Sequence, residues 1–354
     1  MFYRENGQFK SSYRSDQQML PILQDRVFMA ALLVVAFGVL PFVVTDYVFL
    51  SLIIPFLILT IAAIGLNLLV GYCGQISIGH AAFMAVGAYA AYNLVLHVPQ
   101  LNFLVVLVLA GLIAAAVGML FGIPSLRIKG LYLAVATLAA QFFMDWLFAR
   151  VKWFTNYAHS GSVQTAPIEM FGWTIDSPAE KYLFLLAVLV VFTLIAKNLV
   201  RSHIGREWMA MRDMDVAAEV IGIRPVYAKL TAFAVSAFYC GVAGALWGFV
   251  YLGSWEPLAF NLTLSLNLLF MIIIGGMGSL LGSFFGAAFI VALPIVLDQV
   301  PLLLGMPMST ATASHLASMI FGALIVFFLI VEPHGLARLW AVGKEKLRLW
   351  PFPH

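Results

Sequence analysis

Long runs of apolar residues, separated by short polar stretches, fill most of this chain. Runs of about twenty apolar residues can cross a bilayer as helices, which satisfy their own backbone hydrogen bonds in hydrocarbon. The ten-residue alternating segments of a membrane β-barrel are not seen. We therefore predict an all-α polytopic transmembrane bundle of about ten spans. The spans are predicted at residues 27–44, 48–70, 76–97, 102–123, 131–149, 182–199, 230–252, 260–276, 280–298 and 313–331.

The third predicted span, 76–97, is the least regular of the ten. It is rich in Gly and Ala, and Ser77 and His80 lie near its start, just after Gln75. Glycine relaxes the backbone, and polar side chains at membrane depth need partners. The span is either a complete helix or a broken, partly re-entrant one.

Composition supports a lipid-facing surface. The chain is 63% hydrophobic and 10% charged, with a mean hydropathy of +1.00, whereas soluble domains carry about 25% charged residues. So few charges cannot cover a water-facing surface. The two cysteines show no CxxC spacing, which argues against a metal site or a disulfide framework.

The basic residues are distributed unevenly between the two faces. With ten spans, sixteen of the nineteen Lys and Arg residues lie on the face that carries both termini, and three lie on the other. The positive-inside rule then places both termini in the cytoplasm. We expect cytoplasmic tails at 1–26 and 337–354 around a permease domain at 27–336, with an external loop at 150–181, which could be an ordinary connection.

A charged segment, residues 201–229, interrupts the apolar runs on the predicted cytoplasmic face. Its pattern predicts a short amphipathic helix that ends near Gly222, because Pro225 follows soon after. Met209 and Val216 lie on its apolar face, together with Val220 and Ile223. Such a helix either lies on lipid headgroups or enters a groove on a partner. Between residues 206 and 220, four acids outnumber two arginines, which favours a protein partner over anionic lipid.

The sequence lacks several common motifs of nucleotide binding and catalysis. No GxxxxGK[ST] sequence is present to hold ATP phosphates, and neither GxSxG nor HExxH occurs. Acidic residues avoid the predicted span centres, whereas ion-coupled transporters usually bury an ionisable relay there. This weakens the hypothesis of a stand-alone ion-coupled transporter without excluding it. A membrane-embedded enzyme lacks a candidate nucleophile, metal cluster or pair of acids.

Two glycine-rich segments carry the remaining candidate residues. Gly278, Gly282 and Gly286 recur every four residues, as in close helix packing, and Gly275-Gly276 before them is expected to interrupt the helix. A part in the permeation path is the alternative for these glycines. The polar residues best placed to touch a zwitterion, or else to bond between helices, are Asn67, Gln75, Ser77 and His80.

Three segments together resemble the LivM-type permeases of bacterial branched-chain amino-acid ABC importers. They are Gly65-Leu-Asn-Leu-Leu-Val-Gly with Gly74-Gln-Ile-Ser-Ile-Gly-His80, then Gly205-Arg206 through Gly222-Ile223, then Gly275-Gly-Met-Gly-Ser-Leu-Leu-Gly282. The stretch Glu332-Pro-His-Gly335-Leu336 is similar to the family's closing motif, although Arg often replaces His334. The resemblance runs from about Leu50 to Leu336.

The resemblance implies a type II importer permease in the bacterial inner membrane. Its expected partners are a LivH-like second permease subunit, two cytoplasmic ATPase subunits that bind ATP and Mg, and a periplasmic substrate-binding protein, with no nucleic acid. This chain would bind no cofactor or metal. The substrates would be leucine, isoleucine and valine, or urea, short amides or small carboxylates in similar members. The ATPase-coupling residues would be Gly205, Arg206, Met209, Arg212, Asp213, Val216, Ala217, Ala218 and Gly222.

Overall fold

A computed structural model describes most of the chain. It covers residues 11–12, 23–126, 130–158, 161–165, 167–170, 173–303 and 335–349, with 316, 319–320, 322–324, 326–327 and 330 between the last two ranges. Most of the predicted tail at 1–26, most of the tenth predicted span and the motif residues Glu332, Pro333 and His334 lie outside the described residues.

The described part is almost entirely helical, and short π-helical or 3₁₀ turns extend several of the helices. The α-helices are α1 (Leu23–Val34), α2 (Leu40–Val43), α3 (Asp46–Val48), α4 (Ile54–Asn67), α5 (His80–His97), α6 (Phe103–Gly122), α7 (Leu131–Arg150), α8 (Pro178–Arg201), α9 (His203–Asp213), α10 (Asp215–Val220), α11 (Pro225–Leu246), α12 (Leu262–Gly275), α13 (Leu280–Leu303) and α14 (Gly335–Leu349). The π-helical turns are Val35–Val39, Phe49–Ile53, Leu68–Tyr72 and Trp247–Leu252.

Seven helical stretches among the described residues are long and apolar enough to cross a membrane. They match seven of the predicted spans and are Asp25–Val43, Asp46–Tyr72, Phe103–Leu126, Leu131–Arg150, Pro178–Arg201, Pro225–Leu252 and Pro257–Gly275. A shorter apolar helix, Leu280–Val296, occupies the ninth predicted span. The polytopic helical bundle predicted from the sequence is confirmed.

The third predicted span is a continuous helix that begins four residues later than predicted. Residues 73–79 are not helical, and α5 begins only at His80. Gly74 sits in the left-handed region with φ of +71°, and the Ile78 N–H donates to Thr137 Oγ1 at 3.0 Å. A Cβ on Gly79 would overlap the Thr137 carbonyl. The backbone of the non-helical stretch is thus partly satisfied by α7.

Small residues let the central helices approach closely. The helix α5 packs between α6 and α11. A Cβ on Gly87 would overlap the backbone of Gly241, and one on Gly244 would overlap that of Met84. Without an aqueous hydrophobic force between lipid-embedded helices, such contacts supply the packing energy. The buried centre of the bundle is therefore built on α4, α5, α6 and α11.

The predicted external loop contains short strands rather than an ordinary connection. The strands are β1 (Val163–Gln164), β2 (Ile168–Met170), β3 (Trp173–Ile175) and β4 (Ser254–Trp255). The antiparallel pair β2–β3 forms a hairpin, with Ile168 opposite Ile175. Strand β1 pairs with β4, which lies between α11 and α12, so that Val163 faces Trp255. This pairing fastens the loop to the bundle.

Candidate functional site

The charged segment folds as two short helices, α9 and α10, rather than the single helix predicted. Ser202 caps α9 by accepting from the Gly205 N–H, and Met214 between the helices is extended, with φ of −156°. Asp213 and Asp215 flank the break. Aspartate disfavours helix interiors because its side chain competes for nearby backbone groups. That local preference accounts for the break.

The segment packs one helix on the bundle and leaves the other largely exposed. Trp208 is fully buried, and its Nε1 donates to Thr231 Oγ1 at 3.2 Å. Met211 is buried as well, whereas Val216 and Val220 are 69% and 83% exposed. The predicted apolar face assumed one continuous helix, and its two valines on α10 are exposed, as a face that meets a partner or lipid would be. The helix α9 buries Trp208 and Met211 against the bundle, and α10 presents its valines to solvent.

The end of α10 is confirmed at Gly222. This residue has φ of +94°, and the N–H groups of Gly222 and Ile223 donate to the carbonyls of Glu219 and Ala218, both at 3.0 Å. This is a Schellman motif, in which glycine relieves the strain of the left-handed position. Four large side chains around this turn are more than two-thirds exposed. They form the exposed apolar surface of Met214, Val216, Val220 and Ile221.

Arg212 links the charged segment to the bundle. Its Nη1 donates to the carbonyl of Gly71 at 3.0 Å, and its Nε donates to Asp213 at 2.9 Å. Gly71 lies in the π-helical turn that ends the second span. A Cβ on Gly74 would lie 3.0 Å from Arg212 Cγ, and one on Gly278 would lie 3.2 Å from its Nη1. We call Gly71, Gly74 and Gly278 around Arg212 the glycine junction.

The other predicted coupling residues are dispersed over the segment. Gly205 packs against the backbone at the end of α8, and Arg206 donates from Nη1 to the Arg201 carbonyl at 3.2 Å. Met209 is half-buried, Ala217 is exposed and Ala218 is buried. Lys229, at the edge of the predicted segment, lies inside α11, where it is buried and donates to the Ser125 carbonyl at 3.2 Å.

Asn67 joins α4 to residues 276–279, the glycine-rich loop between α12 and α13. Its Nδ2 donates to the Ser279 carbonyl at 2.8 Å and to Ser283 Oγ at 2.9 Å, and its Oδ1 accepts from the Gly278 N–H at 2.9 Å. All three polar positions of this buried amide are therefore used between helices. Its predicted contact with substrate stays a prediction.

The glycines after α12 divide into a turn and a packing face. The helix ends at Gly275, and Gly276 has φ of +120°, so the predicted interruption is confirmed. Gly278 has φ of +75° and precedes α13, so its predicted place on one helical face with the later glycines is wrong. The reason is the left-handed turn that this residue must make.

Gly282 and Gly286 lie on the face of α13 that meets α12. A Cβ on Gly286 would overlap the backbone of Met271, and one on Gly282 would meet the carbonyls of Gly275 and Gly276. On the far side of the turn, a Cβ on Gly335 at the start of α14 would also meet Gly276, 2.5 Å from its nitrogen. Gly335, the first described residue of the closing motif, thus packs on the glycine-rich loop.

Ser77 and His80 meet at the start of α5. The two ring nitrogens of His80 are 2.8 Å from Ser77 Oγ and 2.8 Å from Ser236 Oγ on α11. Ser236 lies roughly 16 Å along α11 from its first residue, counted at 1.5 Å per residue. Gln75 is half-exposed and donates to the Cys73 carbonyl at 3.5 Å. The role of these residues in a substrate path stays a prediction.

Two polar residues that sequence reasoning missed cap the start of α5. The Ala81 N–H donates to Ser265 Oγ at 2.8 Å, and the Ala82 N–H donates to Gln141 Oε1 at 2.7 Å. The first turn of a helix leaves its N–H groups without intrahelical partners. Side chains of α12 and α7 supply the acceptors here. No local pattern marks residues so far apart in the chain.

The two thiols are inert in this fold. Cys73 and Cys240 are free and fully buried. Burial raises the pKa of the Cys73 thiol, which lies just after the second span, to about 12. Among the described residues, no group of three or more His, Cys, Asp and Glu side chains could hold a metal ion.

A multi-span helical bundle, with a non-helical stretch before its third span and a charged segment tied to a span end, is the architecture of a multi-pass membrane permease. Residues 48–329 match the family described as the permease component of the branched-chain amino acid transport system, and the chain belongs to this family. It is 31% identical to the high-affinity branched-chain amino acid transport system permease proteins LivM of Salmonella typhimurium and Escherichia coli. Each alignment covers 89% of this chain and 75% of the relative. No solved structure matches the chain.

Proposed function

We propose that this chain is a permease subunit of an ATP-driven importer that moves leucine, isoleucine and valine into the bacterial cytoplasm through the inner membrane. The observation that carries the proposal is the charged segment: it exposes an apolar surface while Arg212 bonds Gly71 at the end of a span. A docked ATPase could act on the bundle through this link. Family membership and the named substrates of the two LivM relatives support the choice of amino acids.

The proposed partners follow from the same family. A LivH-like second permease, two cytoplasmic ATPases that carry ATP and Mg, and a periplasmic binding protein complete the importer. The chain itself would hold no cofactor. Helix-in-groove docking buries apolar anchors spaced along one turn, which is how Val216 and Val220 are spaced. The exposed apolar surface would enter the ATPase groove.

We also propose that both termini face the cytoplasm. Asp25, at the start of the first span, pairs with Lys344 of α14 at 3.2 Å. The two ends of the described chain therefore lie on one side of the bundle, which supports the orientation derived from the basic residues.

Reconstitution tests the proposed function. The complete importer is placed in proteoliposomes with its binding protein outside and with or without ATP inside, and it is given leucine, urea or a short amide from outside. Leucine uptake that needs ATP and disappears in a Val216→Asp variant supports the proposal. Uptake that follows a sodium or proton gradient without ATP would indicate an ion-coupled transporter instead. ATP-driven uptake of urea but not of leucine would show that the importer carries urea rather than branched-chain amino acids.

A further inference from the structure

Three neighbouring residues of the buried bundle each carry a polar atom that has no hydrogen-bond partner. Among the side chains that the structure describes, four buried polar atoms lack a hydrogen-bond partner, and three of them are Tyr89 Oη, Asn93 Oδ1 and Trp255 Nε1. These residues are 0%, 7% and 3% exposed. Buried polar atoms almost always have a partner, and an exception needs an explanation such as a ligand or an ordered water.

The three residues belong to one cluster. Tyr89 and Asn93 are one turn apart on α5, where the Asn93 Nδ2 donates to the Tyr89 carbonyl at 2.9 Å. The ring of Trp255 lies edge-on to Tyr89, with 6.2 Å between ring centroids, and Tyr89 stacks on Phe148 at 4.4 Å. Phe249 also packs on Trp255, with 5.8 Å between ring centroids. The side chains of Tyr89 and Trp255, which carry two of the unpaired atoms, are thus packed against other aromatic rings.

The free atoms have complementary roles. The Tyr89 hydroxyl can donate or accept a hydrogen bond, whereas the Trp255 indole N–H can only donate one. The Nδ2 of Asn93 already donates to the carbonyls of Tyr89 and Phe154, so its free Oδ1 is an acceptor. Two donors suit a carboxylate, an acceptor suits an ammonium group, and aromatic walls suit an aliphatic side chain.

Trp255 lies in a short strand beside the external loop, outside the long helices of the bundle. It lies in β4, which pairs with β1 of the external loop, and it follows the π-helical turn Trp247–Leu252. Such turns are frequent at functional sites. Gly248 in that turn makes room for the indole, since a Cβ there would lie 2.8 Å from its ring. Gly253, with φ of +68°, separates the turn from β4.

We propose that Tyr89, Asn93 and Trp255 form a binding site for the zwitterion of an aliphatic amino acid in the half of the bundle next to the external loop. Tyr89 and Trp255 donate to the carboxylate, and Asn93 accepts from the ammonium group. The structure shows this site closed, and displacement of Trp255 with β4 opens it. The inference rests on the proposed import of amino acids and adds where the substrate is held.

The test is Tyr89→Phe in the complete importer, assayed in proteoliposomes for ATP-driven leucine uptake. The variant removes one buried hydroxyl that has no partner in the protein, so the melting temperature should not fall. The KM for leucine should rise roughly tenfold or more, the effect of losing one hydrogen bond to a charged group. Trp255→Phe should act in the same direction. The matched control is Tyr239→Phe, whose hydroxyl donates to the Phe192 carbonyl at 2.9 Å; it should lower stability and leave the KM unchanged.

The outcomes separate the two proposals. If the wild-type importer fails to take up leucine with ATP, the proposed function is wrong. If the wild type transports and Tyr89→Phe has the same KM, the cluster holds a structural water only and the site is wrong. If Tyr89→Phe lowers the melting temperature as much as Tyr239→Phe does, its hydroxyl is paired in the membrane and the site is also wrong.

Discussion

Arg212 of α9 donates to the main-chain carbonyl of Gly71, 141 residues earlier in the chain, at 3.0 Å. The bond joins a charged segment outside the bundle to the last turn of the second span. It is possible because Gly74 and Gly278 leave room for the arginine side chain. A movement of α9 would therefore reach the second span and the glycine-rich loop together.

Arg212→Ala should uncouple transport from ATP hydrolysis. The change removes a charge-assisted bond, which contributes about 1.5–3 kcal/mol, yet leaves the buried Trp208 anchor of α9 in place. We expect ATP-driven uptake to fall about tenfold or more while co-purification with tagged ATPase subunits persists. Arg224→Ala, which removes an exposed arginine of the same charged segment outside the predicted coupling residues, is the control and should retain uptake. An Arg212→Glu variant with normal assembly and uptake would show that Arg212 has no coupling role.

Asn67→Ala should lower stability more than any exposed Asn→Ala change. It removes three hydrogen bonds between α4 and the loop before α13 and leaves buried groups of Gly278 and Ser283 unpaired. Buried unpaired groups cost about 1–3 kcal/mol each in water-soluble proteins, and side-chain bonds between membrane helices average about 0.6 kcal/mol. We expect a clear fall in the melting temperature in detergent. Asn198→Ala, on the exposed side of α8, is the matched control; equal shifts in the two variants would contradict the interhelical role.

Gly286→Ala should be destabilising although alanine is the better helix former. The added Cβ would overlap the backbone of Met271 and force α12 and α13 apart. Gly38→Ala has open space around the new methyl group and should be neutral or stabilising by about 0.5–1 kcal/mol. Thermal unfolding of both variants measures the difference. A Gly286→Ala protein as stable as the Gly38→Ala protein would mean that the two helices do not pack closely.

The fold was largely predictable because a membrane-spanning helix can be identified from its local amino-acid composition. Each span is a continuous apolar run, so seven described stretches match their predicted spans closely. The break before α5 could only be suspected from Gly74 and Gly79. Whether a glycine bends a helix or packs one depends on what faces it, and Thr137, which faces Gly79, lies in a different helix.

The site was less predictable because its contacts join distant parts of the chain. Local charge identified the segment, and a glycine shortly before Pro225 identified its helix end at Gly222. The aspartates on either side of Met214 were nevertheless predicted to lie within one helix. Trp208 was missed since its burial depends on packing against α11, and Gln141 and Ser265 carry no motif. The aromatic cluster at Tyr89 was missed for the same reason: its unpaired atoms are visible only once α5 and β4 are brought together.

Val216→Cys should report ATPase docking directly. Val216 is 69% exposed in this chain, whereas Cys73 and Cys240 are fully buried and the raised pKa of Cys73 keeps its thiol protonated. A membrane-impermeant maleimide should therefore label the variant and spare the wild type. Labelling should occur from the cytoplasmic side in inverted vesicles and fall several-fold once the ATPase subunits are bound, because the apolar surface is then covered.

A cysteine at Tyr157 provides the opposite control. That residue is 65% exposed in the predicted external loop, so Tyr157→Cys should label in intact spheroplasts and stay reactive when the ATPase binds. Labelling of both cysteines from the same side would overturn the orientation. A side chain that is buried in the ATPase groove loses access to a water-soluble reagent. If bound ATPase leaves the labelling of Val216→Cys unchanged, the docking surface therefore lies elsewhere.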